Sequence, residues 1–257
     1  MSLREQYIAF MTIVVKEIRR YLRIWTQTLL PSAITMSLYF VIFGSLIGSR
    51  IGEMGGFTYM QFVVPGLIMM AIVTNSYSNV VSSFYGAKFN NSVEELLVSP
   101  TSNYVILMGY VLGGVSRGVL VAIIVTIVAG FFTTFHIHSY LVVIVIVLMT
   151  STLFALAGFI NAVYANSFDD ISIVPTFILT PLIYLGGVFY SMDLLPDFWA
   201  GVSKLNPLVY VVNAFRYGVL GVSDVSLPFA FGMITLFTVI AFCFSMHLLN
   251  SGTRLRQ

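Results

Sequence analysis

The sequence has 257 residues, of which 58% are hydrophobic and only 9% are charged, and its mean hydropathy is +0.96. Soluble domains carry about 25% charged residues, so this composition excludes an ordinary soluble protein and indicates a polytopic membrane protein. The net charge of +2 does not indicate nucleic-acid binding, because the basic residues are clustered at the chain ends. The single cysteine, Cys243, lies in an apolar run, and we predict neither an internal disulfide nor a cysteine metal site.

Residues 3–23 form the first predicted element, a helix with an apolar stripe and a basic face. The two sets are Tyr7, Met11, Val14, Ile18 and either Tyr21 or Leu22 on the stripe, and Lys16, Arg19, Arg20 and Arg23 opposite. This pattern is typical of a helix lying in the membrane interface. The alternative is a basic flank that only sets topology. The scattered charges also argue against a cleavable signal peptide.

Six apolar runs follow and predict six transmembrane helices in an all-α fold. Their approximate ranges are 25–47, 59–85, 104–135, 140–164, 171–188 and 227–249. The fifth contains Pro175 and Pro181, so we expect a kinked helix there. His136 and His138 precede the fourth run, but no further ligands accompany them, and we predict no metal site.

A polar stripe marks the second half of the second predicted span. Asn75, Asn79, Ser82 and Ser83 share one helical face, and polar groups do not face lipid without cost. Two interpretations stay open for the stripe, contacts between helices or the lining of a transport path. The candidate path-lining residues are Asn75, Asn79, Ser83, Thr176, Thr180 and Tyr184.

Arg117 lies inside the third apolar run, flanked by Gly113, Gly114 and Gly118. The run is longer than the roughly 20 residues of one perpendicular crossing. A long helix that begins in the cytosolic interface would place Arg117 near the inner headgroups. There its side chain would snorkel to the interface, or else bind an anionic group.

Residues 88–100, between the second and third spans, predict a short amphipathic helix from position 91 or 92 to Val98, stopped by Pro100. Val93, Leu96 and Leu97 lie on one side of it, while Glu94 and Glu95 point elsewhere. A helix of two turns is not stable alone. It must therefore lie on the bilayer surface or on another protein.

Residues 189–225 are too polar for a clean span and too apolar for a free loop. The polar set includes Asp193, Asp197, Lys204, Asn206, Arg216 and Asp224, and the apolar set includes Phe198, Trp199, Leu208, Val209 and Phe215. We expect two short helices that dip back into the outer leaflet against the spans. The alternative is an amphipathic loop on the membrane surface.

The distribution of basic residues predicts the topology. With six spans and both termini in the cytosol, the cytosolic side holds eight basic residues and the outer side three, Arg117 being left uncounted. The cytosolic set is Arg4, Lys16, Arg19, Arg20, Arg23, Lys88, Arg254 and Arg256, and the outer set is Arg50, Lys204 and Arg216. This arrangement places residues 88–100 in the cytosol.

The sequence contains no phosphate-binding G-x-x-x-x-G-K-[ST] motif and no G-x-S-x-G or H-E-x-x-H motif. Few ionisable residues lie within the spans, which argues against a proton relay. We therefore predict a protein that is not itself an enzyme and takes energy from a partner. A self-contained channel or secondary carrier is one alternative, and a membrane scaffold for a cytosolic partner is another.

Two motifs resemble those of the ABC-2 type transporter permeases. One is residues 94–100 (EELLVSP); the other begins with residues 185–190 (LGGVFY) and continues through Trp199 and residues 205–208 (LNPL). Its matching positions also include Asn206, Pro207, Tyr210 and Arg216. The resemblance covers essentially the whole chain, residues 1–257, as one transmembrane domain.

The resemblance implies a homodimer in a bacterial inner membrane, bound to two copies of a separate ATPase subunit. ATP and magnesium would belong to that subunit, with no cofactor in this chain. Val93, Glu94, Glu95, Leu96 and Leu97 would form the coupling helix, which sits in a groove of the ATPase. Residues 189–225 would close the exit. The family exports polysaccharides, lipid-linked glycans, drugs or other amphiphiles.

Overall fold

The computed structural model describes residues 2–134 and 136–252, and the predicted cytosolic residues Arg254 and Arg256 lie outside this range. The helices, in chain order, are α1 (Leu3–Arg23), α2 (Trp25–Thr28), α3 (Leu30–Phe40), α4 (Gly48–Ile51), α5 (Tyr59–Phe89), α6 (Ser92–Val98), α7 (Asn103–Gly130), α8 (Tyr140–Tyr164), α9 (Asp170–Val174), α10 (Thr180–Tyr184), α11 (Asp197–Ser203), α12 (Pro207–Leu220) and α13 (Leu227–Ser251). The π-helical turns Val41–Ile47 and Pro175–Leu179 and the 3₁₀ turn Met192–Leu194 complete the helical structure.

Five helices of the described residues are long and apolar enough to cross a membrane. They are Trp25–Ile51, Tyr59–Phe89, Asn103–Gly130, Tyr140–Tyr164 and Leu227–Ser251. The predicted fifth span corresponds to the shorter apolar helix Asp170–Tyr184, and the π-helical turn beginning at Pro175 makes it irregular, as its prolines predicted. The all-α membrane fold is therefore confirmed. The count of six spans stays a prediction, because this helix falls short of about 20 residues.

A small β-hairpin follows the first span where the sequence indicated only a loop. Strands β1 (Glu53–Met54) and β2 (Phe57–Thr58) pair antiparallel around Gly55 and Gly56. Both glycines have positive φ angles, 60° and 81°, which the two-residue turn of a right-twisted hairpin requires. Thr58 then caps α5 together with Gln61, which fixes where the second span begins.

The core of the fold is α5, which is buried along most of its length between α7 and α8. Glycines on both neighbours allow the close approach. A Cβ at Gly158 of α8 would lie 2.5 Å from the carbonyl oxygen of Tyr77, and one at Gly114 of α7 would lie 2.7 Å from Val80. Small residues at such contacts are a usual means of packing helices in membranes, where lipid provides no hydrophobic drive between them.

Two spans at the periphery present apolar side chains outward. The first span exposes Ile34, Leu38 and Leu46, and α13 exposes Val239 and Ile240. These faces are suited to lipid or to another apolar protein surface.

Candidate functional site

The loop between α5 and α7, which the sequence predicts to be cytosolic, is anchored at its base by Lys88. This residue is buried at 3% exposure, and its Nζ donates to the carbonyl oxygens of Val163 and Ala165 at 2.9 and 2.8 Å. These oxygens lie at the C-terminal end of α8, where backbone acceptors lack helical partners. Lys88 therefore joins the start of the loop to the end of another span.

The predicted amphipathic helix is present as α6. It begins after Asn91, which adopts a left-handed conformation with φ of 59°, and it ends at Ser99, whose hydroxyl donates to the carbonyl of Leu96 at 2.6 Å. The sequence placed the start at position 91 or 92 and the end at Val98. The described helix, Ser92–Val98, agrees with both.

The apolar face of α6 points toward the rest of this protein. Val93 is 2% exposed, and Leu96 and Leu97 are partly buried against the core. The sequence predicts that these three side chains anchor the helix in a partner's groove. Val93 packs within the chain and holds α6 in place, because a short helix needs such packing to stay folded, while Leu96 and Leu97 keep part of their surface open.

The surface that α6 leaves open consists of Glu94, Glu95 and Val98, the last with 84% of its surface exposed. An exposed apolar side chain beside two carboxylates suits contact with a basic, partly apolar surface. Gln6 of α1 stabilises the other end of the loop, since its amide donates to the Pro100 carbonyl and accepts from the Ser102 amide, both at 3.1 Å.

Three residues of the polar stripe of α5, namely Asn75, Asn79 and Ser83, are buried, while Ser82 is exposed. Asn75 donates to the Ser32 hydroxyl at 3.0 Å and accepts from Arg117 at 2.8 Å. Asn79 accepts from Arg20 at 2.9 Å, and the Ser83 hydroxyl donates to a carboxylate at 2.5 Å. Of the two interpretations of this stripe, these contacts favour helix packing for the three buried residues, with Nδ2 of Asn79 left without a hydrogen-bond partner among the described residues.

Arg117 is buried within the protein. It is 8% exposed, and its Nη2 donates to the Thr28 carbonyl at 3.0 Å as well as to Asn75. The guanidinium is directed at the elbow between α1 and α3, and its position relative to the inner headgroups stays a prediction. The flanking glycines explain the burial, because Gly113 and Gly118 let neighbouring helices approach closely.

The carboxylate that Ser83 contacts belongs to Glu17 of α1, which is fully buried. Sequence reasoning missed it because Glu17 stands among four basic residues and reads as part of a solvated face. A signal was nevertheless present: Ile13, Glu17 and Tyr21 recur every four residues, and they are the buried positions of α1.

The remaining candidates for a path lie on the fifth apolar helix, where Thr176, Thr180 and Tyr184 are all exposed on this chain. The ring of Tyr184 stacks on that of Phe189 at a centroid distance of 5.7 Å. The ring of Phe43, in the first span, also contacts the Phe189 ring, with their centroids 4.7 Å apart. On α5, the exposed polar positions are Thr74 and Ser82, one residue away from the predicted Asn75 and Ser83.

The predicted pair of short helices within residues 189–225 is present as α11 and α12. Asn206 caps α12, since its Oδ1 accepts from the Leu208 amide at 3.0 Å and its Nδ2 donates to the Leu182 carbonyl at 2.7 Å. Pro207 occupies the first helical turn, where its missing N–H costs nothing. The Tyr210 hydroxyl donates to the Lys204 carbonyl and closes the turn between the two helices.

Arg216 fixes α12 against the second span. Its side chain is fully buried, its Nη2 donates to the Gly187 carbonyl at 2.6 Å, and its guanidinium carbon lies 3.9 Å from the centre of the Phe62 ring. Asp224 lies 3.9 Å from Nη1. Gly187 has a φ of 74°, a backbone conformation that favours glycine, so the LGG sequence shapes the carbonyl that Arg216 binds.

Comparison with protein-family models shows which family the chain belongs to, because the model of the ABC-2 type transporter matches residues 8–220. The chain belongs to the ABC-2 type transporter family. It is 56% identical over 251 residues to the inner membrane transport permease YadH of Escherichia coli K12, with 98% of each chain covered. It is 22% identical over 214 residues to nodulation protein J of Rhizobium leguminosarum bv. viciae, with 83% of each covered.

The family relationship and the apolar helices identify a membrane subunit of an ABC transporter in a bacterial inner membrane. The family implies partnership with a separate ATPase subunit. Among residues 2–134 and 136–252, no three His, Cys, Asp or Glu side chains come together in a group that could hold a metal ion.

Proposed function

We propose that this chain is the permease subunit of an ATP-driven exporter, which acts as a homodimer with two copies of an ATPase subunit. The observation that carries the proposal is α6, a cytosolic helix fixed to its own protein by Val93 and presenting Glu94, Glu95 and Val98 outward. Both termini lie in the cytosol in this arrangement. ATP and magnesium belong to the partner, because this chain has no phosphate-binding loop.

The docking contact has two parts with different roles. Val98 supplies an apolar anchor, which is the kind of side chain that gives most of the binding energy when it is buried at the centre of an interface. Glu94 and Glu95 pair with basic groups on the ATPase and fix the register of the helix in its groove. The two ATPase subunits approach each other on binding ATP and thereby displace α6 in both protomers.

The substrate path runs along the fifth apolar helix, past the exposed side chains of Thr176, Thr180 and Tyr184. Thr74 of α5 extends the set of exposed polar groups, and it replaces Asn75, Asn79 and Ser83, which are buried and hydrogen-bonded within the chain. Hydroxyls and an aromatic ring together suit an amphiphilic substrate, such as a lipid-linked glycan, a polysaccharide or a drug-like molecule. Helices α11 and α12 close the outer end of this path, and the direction of transport in this proposal is outward.

The test is a pull-down in mild detergent from the native host. Wild-type protein is expected to retain an ATPase subunit, and a Glu94→Lys, Glu95→Lys, Val98→Asp variant is expected to lose it. Val98 is better suited than Leu96 for this purpose, because Leu96 also packs against the core and its replacement would disturb folding. Glu53→Lys in the β-hairpin is the matched control, a charge reversal on an exposed residue of the predicted outer side.

Two results would contradict the proposal. One is the absence of any ATPase from the wild-type preparation at every detergent concentration that keeps the protein folded. The other is full retention of the ATPase by the triple variant, which would place the docking contact away from α6.

A further inference from the structure

The side of α1 that faces the protein carries a charge. Along Ile13, Glu17 and Tyr21 the exposed fraction does not exceed 7%, and that of Glu17 is zero. A helix that only lies among lipid headgroups would keep a carboxylate in water, because burying a charge without partners costs far more free energy than leaving it exposed. The burial of Glu17 therefore needs contacts that compensate for its lost hydration.

Those contacts come from α1 itself and from α5. Glu17 Oε1 accepts the Ser83 hydroxyl at 2.5 Å, and Oε2 lies 3.4 Å from Nη2 of Arg20. The same Nη2 donates to Oδ1 and to the main-chain oxygen of Asn79 at 2.9 and 2.8 Å. Glu17 and Arg20 are one turn apart on α1, and Asn79 and Ser83 are one turn apart on α5, so two pairs match across the interface.

The third partner is α7, whose glycines bring its backbone close to α1 and whose Ser116 hydroxyl accepts from the Tyr21 hydroxyl at 3.3 Å. A Cβ at Gly113 would lie 2.6 Å from the Glu17 Cβ, and one at Gly109 would lie 2.6 Å from the Ile13 side chain. Helices in contact at two glycines four residues apart are closely packed, and translation of α1 along α7 would drive its side chains into the backbone.

The start of α1 is fixed independently by Gln6, which exchanges hydrogen bonds with Pro100 and Ser102 just after α6. Thus α1 is attached at one end to the segment that follows α6 and near the other end to α5 and α7. Two attachments about three turns apart define the orientation of a helix relative to its supports.

We propose that Glu17 is a positioning residue for energy coupling, which seats α1 on α5 and α7 so that α1, α6 and the cytosolic parts of α5 and α7 move as one body. This inference rests on the proposed function for the source of the movement. Beyond the proposed function, it assigns a role to α1, which transmits motion and does not slide independently in the lipid interface.

The experiment measures how accessible to solvent the buried face of α1 is, that is, the face formed by Ile13, Glu17 and Tyr21. Ile13→Cys is placed in a Cys243→Ser background, which removes an exposed thiol, and labelling by a water-soluble maleimide is followed in nanodiscs. Without nucleotide, Glu17→Gln is expected to accelerate labelling about tenfold, because loss of the charge releases α1 into local opening. Lys16→Gln, an exposed neighbour on the same helix, is expected to leave the rate unchanged, and Glu17→Asp is expected to retain part of the protection.

The second arm adds the copurified ATPase and traps it with ATP and vanadate. Movement as one body predicts that the labelling rate of Ile13→Cys does not change on trapping. It also predicts that Glu17→Gln binds as much ATPase as wild type but loses the stimulation of ATP hydrolysis by the permease. A rise in labelling on trapping would overturn the inference, as would unchanged protection in Glu17→Gln. If no ATPase copurifies with wild type, the proposed function fails, and the arm without nucleotide still decides whether Glu17 seats α1.

Discussion

Arg20 and Arg216 both contact α5, and their surroundings differ. On the predicted cytosolic side, Arg20 lies 3.4 Å from the Glu17 carboxylate and donates to two oxygens of Asn79. On the predicted outer side, the fully buried Arg216 has one hydrogen bond to a carbonyl oxygen, an aromatic ring beneath it and a carboxylate at 3.9 Å. Neither Nε nor Nη1 of Arg216 makes a hydrogen bond with any described residue, whereas Arg20 leaves only its Nε without one.

The comparison suggests that the two regions have different mechanical roles. Charged groups with several close partners hold one arrangement strongly, while a guanidinium with unused donors can form new bonds when its surroundings change. The cluster of Glu17 and Arg20 therefore fits a part of the protein that moves without deforming. The contacts of Arg216 fit a part that can rearrange.

The largest expected effect is at Arg216. Arg216→Ala removes a fully buried cation and leaves Asp224 and the Gly187 carbonyl without it, and it should destabilise the protein by about 3–5 kcal/mol. Thermal unfolding in detergent measures the loss. Arg50→Ala is the control, an exposed arginine of the predicted outer side that should stay within about 0.5 kcal/mol of wild type. A small effect of Arg216→Ala would mean that the outer contacts do not hold α12.

A smaller loss is expected at Glu17. Glu17→Ala leaves the Ser83 hydroxyl without its carboxylate acceptor and Arg20 without its ion pair, but Arg20 keeps both Asn79 oxygens and its side chain is 25% exposed. The expected cost is about 2 kcal/mol, measured by the same unfolding assay with Lys16→Ala as control. The difference between the two regions would be refuted if Glu17→Ala proved more damaging than Arg216→Ala.

The smallest effect tests packing without charge. Gly113→Ala adds a methyl group 2.6 Å from the Glu17 Cβ and forces α1 away from α7, with an expected cost of about 1 kcal/mol. Gly86→Ala is the matched control, a helical glycine of α5 with open space around it. That substitution should be stabilising, because alanine loses less conformational freedom than glycine in a helix. Equal effects of both changes would show that α1 is not closely seated.

Much of the architecture could be predicted from the sequence because apolar length and turn residues act locally. The range of α1, the start and end of α6, and the two short helices after Tyr190 all agree with the sequence patterns. The hairpin at Gly55 was missed because its strands have two residues each, too few for alternation to show.

The candidate site was harder to predict, because burial depends on partners distant in the sequence. The α5 stripe was recognised as polar, but only the position of α1 decides that Asn79 faces Arg20 and that Thr74 remains open. Similarly, an amphipathic pattern shows that Val93 lies on the apolar side of α6. It does not show whether that side contacts this chain or another.

The anchoring of Lys88 by carbonyl oxygens 75 and 77 residues further along the chain has a consequence for biosynthesis. Synthesis at about 5–20 residues per second separates Lys88 from its acceptors by roughly 4–15 s. During that interval the loop between α5 and α7 has been synthesised, but the two carbonyl oxygens that Lys88 binds have not. The surface that α6 offers to a partner is therefore completed only after α8 has been inserted, so an ATPase subunit that needs this surface meets a permease whose first four spans are already in place.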